Sequence, residues 1–246
     1  MAKEMIGSLE LNRIYQRDCI EGMKMLPDKS IDMILCDLPY GTTRNKWDSI
    51  IPLELLWEQY ERIIKDNGAI VLTAQTPFDK VLGASNLKLL KYEWIWEKNR
   101  GTGHLNAKKM PMKSHENILI FYKTLPTYNP QMREGGTYIR KNGKGSSNYG
   151  SQTDTISINS GRYHLSVLNY NVIEKTVHPT QKPTELFEYL IRTYTQEGEI
   201  VLDNCIGSGT TAVAAVRTNR KFIGFEREQE YVEIANKRLD NEELPQ

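Results

Sequence analysis

Residues 31–40, IDMILCDLPY, and residues 199–211, EIVLDNCIGSGTT, decide how this chain is read. Each begins with a short apolar run of the length of a buried strand and turns polar at an aspartate, Asp37 in one and Asp203 in the other. Each is therefore expected to be a loop at the C-terminal end of a strand, the edge where open α/β sheets bind ligands. The two loops differ in kind. Asp37-Leu38-Pro39-Tyr40 offers a carboxylate, a carbonyl ahead of a stiff turn and an aromatic ring. In the other loop, Gly207 and Gly209 leave bare backbone for a ligand to approach, and Thr210 and Thr211 open a helix whose positive end faces the loop.

Outward from these loops, apolar runs predict seven strands: around 14–16, 31–36, 69–73, 92–97, 117–122, 200–203 and 222–226. Between them, PLELLWEQYERIIKDNG places Leu55, Leu56, Tyr60, Ile63 and Ile64 on one helical face with Gly68 as the stop. PTELFEYLIRTYTQEG does the same with Leu186, Phe187, Leu190, Ile191 and Tyr194, with Gly198 as the stop. A third helix runs from the glycine loop to about Thr218, and a fourth covers about 228–239. Helices alternating with apolar strands imply a doubly wound α/β sheet.

With 246 residues and 39% apolar content, the chain can bury one substantial core, so a single domain over residues 1–246 is expected. No stretch approaches the roughly 18 apolar residues of a membrane span, and the N-terminus has no apolar signal region, so a cytoplasmic protein is expected. Cys19, Cys36 and Cys205 are odd in number and far apart in sequence, which supports neither a disulfide framework nor a metal site.

The net charge of +1 conceals an uneven distribution. From Lys98 to Lys144 there are ten Lys or Arg against Glu116 and Glu134, a local excess of +8. Concentrated positive charge is what phosphate neutralisation requires, so Lys98, Arg100, Lys108, Lys109, Lys113, Arg140 and Lys141 are candidate DNA contacts. An ordinary solvated face is the alternative. Residues 124–176, rich in Gly, Ser, Asn, Tyr and Thr, interrupt the α/β rhythm as a long loop-like insert.

Taken together, Asp37-Leu38-Pro39-Tyr40 and the Asp203–Thr211 loop resemble the S-adenosylmethionine-dependent DNA amino-methyltransferases, which methylate the exocyclic nitrogen of adenine or cytosine. That amine is a poor nucleophile, because its lone pair is delocalised into the ring. The resemblance implies that Asp37 and the Leu38 carbonyl accept the amine's hydrogens so that the nitrogen can pyramidalise. Pro39 stiffens the turn, and Tyr40 stacks on a base extruded from duplex DNA. The family usually has proline where Leu38 stands, yet a residue ahead of proline is already extended and keeps its carbonyl available.

For the cofactor, the resemblance assigns the α-ammonium to Asp203, the ribose to Glu226 and the close backbone approach to Gly207, Gly209, Thr210 and Thr211. Arg17-Asp18-Cys19 resembles the family's N-terminal segment, with Asp18 on the adenine amine and Cys19 beside it. His178-Pro179-Thr180-Gln181-Lys182-Pro183 resembles a signature preceding the glycine loop, from which Lys182 or Thr180 reaches the methionine end. Pro183 also reads as an ordinary helix start.

A catalytic loop ahead of the cofactor loop matches the circularly permuted β group. This implies a Rossmann-like seven-strand methyltransferase sheet, a target-recognition region at 124–176 and a possible homodimer. Adenine N6 is the expected target, because cytosine-N4 enzymes of the group more often carry serine in place of Asp37. Cytosine N4 is the alternative.

Two other readings compete. Gly207 to Ala212 also matches the dinucleotide pattern G-x-G-x-x-A, with Glu226 about 20 residues on, as in a nucleotide-dependent oxidoreductase. A non-catalytic DNA-binding protein is the other. Trp47, in the stretch 41–49, either stacks on the target base or packs.

Overall fold

The computed structural model describes residues 3–41, 48–142, 155–174 and 181–242. In chain order the elements are β1 (Met5–Ile6), β2 (Leu9–Glu10), β3 (Arg13–Gln16), α1 (Cys19–Lys24), β4 (Ile31–Asp37), α2 (Leu53–Ile63) and β5 (Ile64–Ala74). Next come α3 (Phe78–Ser85), β6 (Leu90–Thr102), β7 (Lys113–Phe121), β8 (Tyr138–Asn142), β9 (Thr155–Asn159) and β10 (Val167–Asn169). The chain closes with α4 (Thr184–Tyr194), β11 (Ile200–Asp203), α5 (Thr210–Arg217), β12 (Lys221–Glu226) and α6 (Gln229–Asp240).

Eight strands form one mixed sheet in the order β10-β6-β7-β5-β4-β11-β12-β3. Neighbours run parallel except at β7, which is antiparallel to both β5 and β6. All seven expected strands are present, and the eighth is β10, which pairs with β6 from inside the stretch read as a loop-like insert. The sheet is covered on both faces, as a doubly wound fold requires. Ile34 and Cys36 of β4 join one core with Met23, Leu56, Tyr60 and Phe78. Met33 and Leu35 join the other with Leu186, Phe187, Leu190, Ala212 and Val232. That double burial explains why IDMILC is a continuous apolar run rather than an alternating one.

Two expected helix stops are displaced. α2 ends at Ile63, and Ile64 already begins β5, so Gly68 is a strand residue. It is glycine for lack of space: a Cβ there would lie 2.7 Å from the Asp32 carbonyl oxygen and from Ile64 Cδ1. Leu55, expected on the buried face of α2, is 48% exposed. α4 ends at Tyr194, ahead of Gly198, which turns with φ +81°.

The chain divides into two compact units, 130–165 and the remainder. The expected insert at 124–176 is thus wider than the separate unit. At its leading edge, Asn129 donates through Nδ2 to the carbonyls of Arg192 and Thr195, both at 3.0 Å, and at its trailing edge β10 joins the main sheet. The smaller unit holds the β8–β9 hairpin and an Arg133–Arg162 bridge, with the Arg162 guanidinium 5.2 Å from the centre of the Tyr138 ring.

Candidate active site

The two aspartate loops meet because β4 and β11 are parallel neighbours, with Val201 opposite Met33 and Leu202 opposite Ile34. From β4 the chain proceeds to β5 on one side, and β11 and β12 lie on the other, so strand order reverses there. The crevice at such a reversal is where open α/β sheets bind ligands. A cavity of about 530 Å³ opens at that edge, within the range of roughly 300–1,000 Å³ usual for ligand pockets. Its lining includes Asp18, Cys19, the whole Asp37–Tyr40 loop, Lys182, Asp203, Gly207, Thr210, Thr211 and Glu226.

At the first loop, both oxygens of the Asp37 carboxylate are engaged, by three donors against about four acceptor sites. Its Oδ1 accepts from the Tyr40 hydroxyl at 2.6 Å and the Thr73 hydroxyl at 2.5 Å, while Oδ2 accepts from the Lys182 ammonium at 2.5 Å. Leu38 buries its side chain in the core, 4% exposed, which accounts for an apolar residue at that position. The Tyr40 ring stacks on Phe78 with centroids 5.5 Å apart, and the Lys182 ammonium lies 5.7 Å from the Tyr40 centroid. Gly41 N–H donates to Asp48 at 2.9 Å. Trp47 lies outside the described residues, as do His178, Pro179 and Thr180.

Sequence reading missed the charges behind Asp37. Glu116, on β7, accepts from Lys98 at 2.6 Å and lies 3.4 Å from Lys182 and 3.4 Å from the Tyr40 hydroxyl. Burial pushes the Glu116 carboxyl up, but the Lys182 and Lys98 ammoniums outweigh it and hold the group below its ordinary value. Burial likewise disfavours the Lys182 charge, yet Asp37 and Glu116 hold its pKa above the usual lysine range. Lys98, expected to meet phosphate, is instead buried, with a side chain 7% exposed and paired to Glu116. Removing one member of such a pair costs about 3–5 kcal/mol.

In the second loop, Asp203 is 3% exposed and accepts from the Cys205 N–H at 3.0 Å and from the Thr211 hydroxyl. Burial pushes its carboxyl up to about 7 despite those donors. Glu226 accepts from the Gly207 N–H at 2.9 Å on one oxygen and from Arg227 and Glu228 N–H at 2.8 and 2.9 Å on the other. Burial raises its pKa as well. Gly209 is glycine chiefly because α6 presses on it: with φ +84°, a Cβ there would lie 2.8 Å from Ala235 Cβ. Arg238 of α6 also holds the loop, donating to the Ser208 carbonyl at 2.7 Å and to the Thr210 hydroxyl at 3.3 Å.

Asp18 caps α1, its Oδ1 accepting from Ile20 and Glu21 N–H at 2.9 and 3.2 Å. The three cysteines, distant in sequence, converge: all are free thiols, and Cys205 contacts both Cys19 and Cys36. Among the remaining candidate cations, Arg100, Lys108, Lys109 and Lys113 are exposed, with Lys113 Nζ 3.0 Å from Gln75 Oε1. Arg140 and Lys141 are backbone partners of Ser157 and Ile156 in the β8–β9 hairpin.

A family model described as DNA methylase, of the N6/N4 type, matches residues 31–237. The chain belongs to the DNA methylase family. The methylase is 32% identical over 260 residues to the Type II methyltransferase M.BglII of Bacillus subtilis, covering 94% of this chain and 70% of that protein. It is similar to the crystal structure of the M1.HpyAVI-SAM complex, with a TM-score of 0.65, 26% identity and coverage of 92% and 98% of the two chains. It also shares the fold of PvuII DNA methyltransferase (cytosine-N4-specific), with a TM-score of 0.71, 17% identity and coverage of 94% and 87%. The methylase sheet carries the Asp37 and Asp203 loops side by side, and no helix among its described residues is long and apolar enough to cross a membrane.

Proposed function

We propose that this DNA methyltransferase uses S-adenosylmethionine to methylate N6 of adenine at a specific sequence in double-stranded DNA. The observation that carries this reading is that the Asp37 carboxylate, the glycine loop and Glu226 line one cavity. When bound, the cofactor supplies an electrophilic methyl group on a cationic sulfur. Asp203 then takes the α-ammonium and Glu226 the ribose hydroxyls, each carboxylate already fixed by its own backbone donors. An ionised carboxylate has about four acceptor sites, so both can accept further donors.

On the other side of the cavity, the target amine donates one hydrogen to Asp37 and one to the Leu38 carbonyl. This draws the nitrogen lone pair out of conjugation. The base must leave the helical stack to meet a methyl donor in line, and Tyr40 offers it a ring. Arg100, Lys108, Lys109 and Lys113 track phosphate, and the 130–165 unit, with Arg133, Arg162 and the β8–β9 hairpin, reads the target sequence.

N6 of adenine is favoured by aspartate at position 37. N4 of cytosine is the second reading, favoured by the fold likeness to the cytosine-N4 enzyme. Incubation with duplex DNA and cofactor, followed by digestion to nucleosides and mass separation, tests the choice. N6-methyladenine is expected, and N4-methylcytosine alone would overturn the assignment while leaving the family intact.

A further inference from the structure

We propose that Glu116 is a positioning residue of the methyl-transfer reaction, holding the Lys182 ammonium and the Tyr40 hydroxyl against Asp37 from the wall of the same cavity. The four groups form a closed ring. Asp37 accepts from Lys182 at 2.5 Å and from Tyr40 at 2.6 Å, and Glu116 Oε2 lies 3.4 Å from each of those two donors. Of the three donors that orient Asp37, Thr73 stands apart, and the other two, Lys182 and Tyr40, share one further anchor on another strand.

The ring also has charge logic. Lys182 and Asp37 alone would be neutral, and so would Lys98 and Glu116, yet the side chains of Glu116 and of both lysines are 6–7% exposed and stand together. Around Lys182, among the described residues, Asp37 comes from β4, Tyr40 from the loop that follows it and Glu116 from β7, with Lys98 of β6 on the far side of Glu116. Without Glu116, the buried Lys98 ammonium would lose the carboxylate it is paired with, and Lys182 would lose one of the two carboxylates beside it. Lys182 would then lose its proton at lower pH, and Asp37 would lose both a donor and the geometry in which it receives an amine.

The inference rests on the proposed role of Asp37, and its test is scored against the wild-type rate, so a failure to methylate DNA at all would be seen separately. Glu116→Gln should leave the cofactor dissociation constant within about threefold. It should lower kcat by about 100-fold, the cost of roughly 1 Å of misplacement. It should also bring an alkaline fall in kcat to lower pH than in the wild type. A pH-independent loss, or no loss, would overturn the proposal.

Because the single variant strands Lys98, Glu116→Gln with Lys98→Met keeps the cluster neutral and protects folding, checked by thermal unfolding. If Glu116 positions Lys182, the double variant remains slow and keeps the shifted alkaline limb. If Glu116 serves only to neutralise Lys98, the double variant recovers the wild-type rate and profile, and the proposal fails.

Discussion

The Lys182 ammonium sits 2.5 Å from Asp37 Oδ2, although the two residues are 145 positions apart in sequence. This contact joins the segment before the glycine loop to the loop proposed to receive the target amine. Lys182, read with Thr180 as a residue that reaches the methionine end of the cofactor, lines the same cavity as Asp203 and Gly207 and donates there to the carboxylate of the other loop. Segments far apart in the chain thus meet in one charged cluster on the cavity wall.

The burial of Asp203 gives the cofactor step a pH signature. Its carboxyl is pushed up to about 7, and an α-ammonium arriving beside it would lower that value again. Cofactor binding between about pH 6 and 7 should therefore release protons, approaching one per site. Calorimetry in buffers of different ionisation enthalpy measures the release, and Asp203→Asn should abolish it. For the free protein the sign is also fixed. A carboxyl that binds its proton more tightly folded than unfolded favours folding below its ordinary value of 3.8, and that contribution is lost as pH rises to about 7. Asp203→Asn should remove that part of the slope in thermal unfolding.

Gly209→Val should act through folding before it acts through binding. The position has φ +84° and a Cβ would press on Ala235, so both backbone strain and overpacking apply, each worth about 1–3 kcal/mol. Chemical denaturation should show that loss in the absence of cofactor. A variant as stable as the wild type but blind to cofactor would mean that the glycine serves the ligand alone.

Glu226→Gln keeps the size of the side chain and removes the charge that the ribose hydroxyls would meet. Loss of a hydrogen bond to a charged group costs about 1.5–3 kcal/mol, so affinity for S-adenosylmethionine should fall roughly tenfold to a hundredfold. Calorimetry reads it directly, and an unchanged dissociation constant would place the ribose elsewhere.

Neutralising Lys108 and Lys109 should weaken DNA binding and flatten its salt dependence, by about one unit of slope per lost phosphate contact. Lys98→Met should leave that slope unchanged, because the Lys98 ammonium is paired with Glu116 inside the protein. Fluorescence anisotropy across a salt series distinguishes the two. A slope lost at Lys98 and kept at Lys108 and Lys109 would reverse the assignment.

The two loops were legible in sequence because the physics behind them is local: a continuous apolar run ends at an aspartate, and the ends of neighbouring parallel strands share an edge. Gly207 and Gly209 were legible as special positions, but Gly209's contact with Ala235 was not, because it depends on how α6 returns to the sheet. Glu116 carries no local signal at all. It lies 66 positions before Lys182, between His115 and Asn117 in the polar half of β7, where nothing distinguishes it from any other strand carboxylate. Lys98 was misread because counting charge along the chain says nothing of which cations are buried. β10 was missed because three residues with only Leu168 buried leave too little periodicity to read.

Single-turnover methyl transfer by Asp37→Ala, measured beside its cofactor affinity, tests the central claim most directly. If Asp37 accepts the target amine while Asp203 and Glu226 hold the cofactor, the variant should bind S-adenosylmethionine within about threefold of the wild type. Its transfer to duplex DNA should be slower by about 1,000-fold or more, as expected when an interaction made in the transition state is removed. Transfer near the wild-type rate would take Asp37 out of the chemistry, and cofactor affinity lost in parallel with rate would show that the two loops do not divide the work.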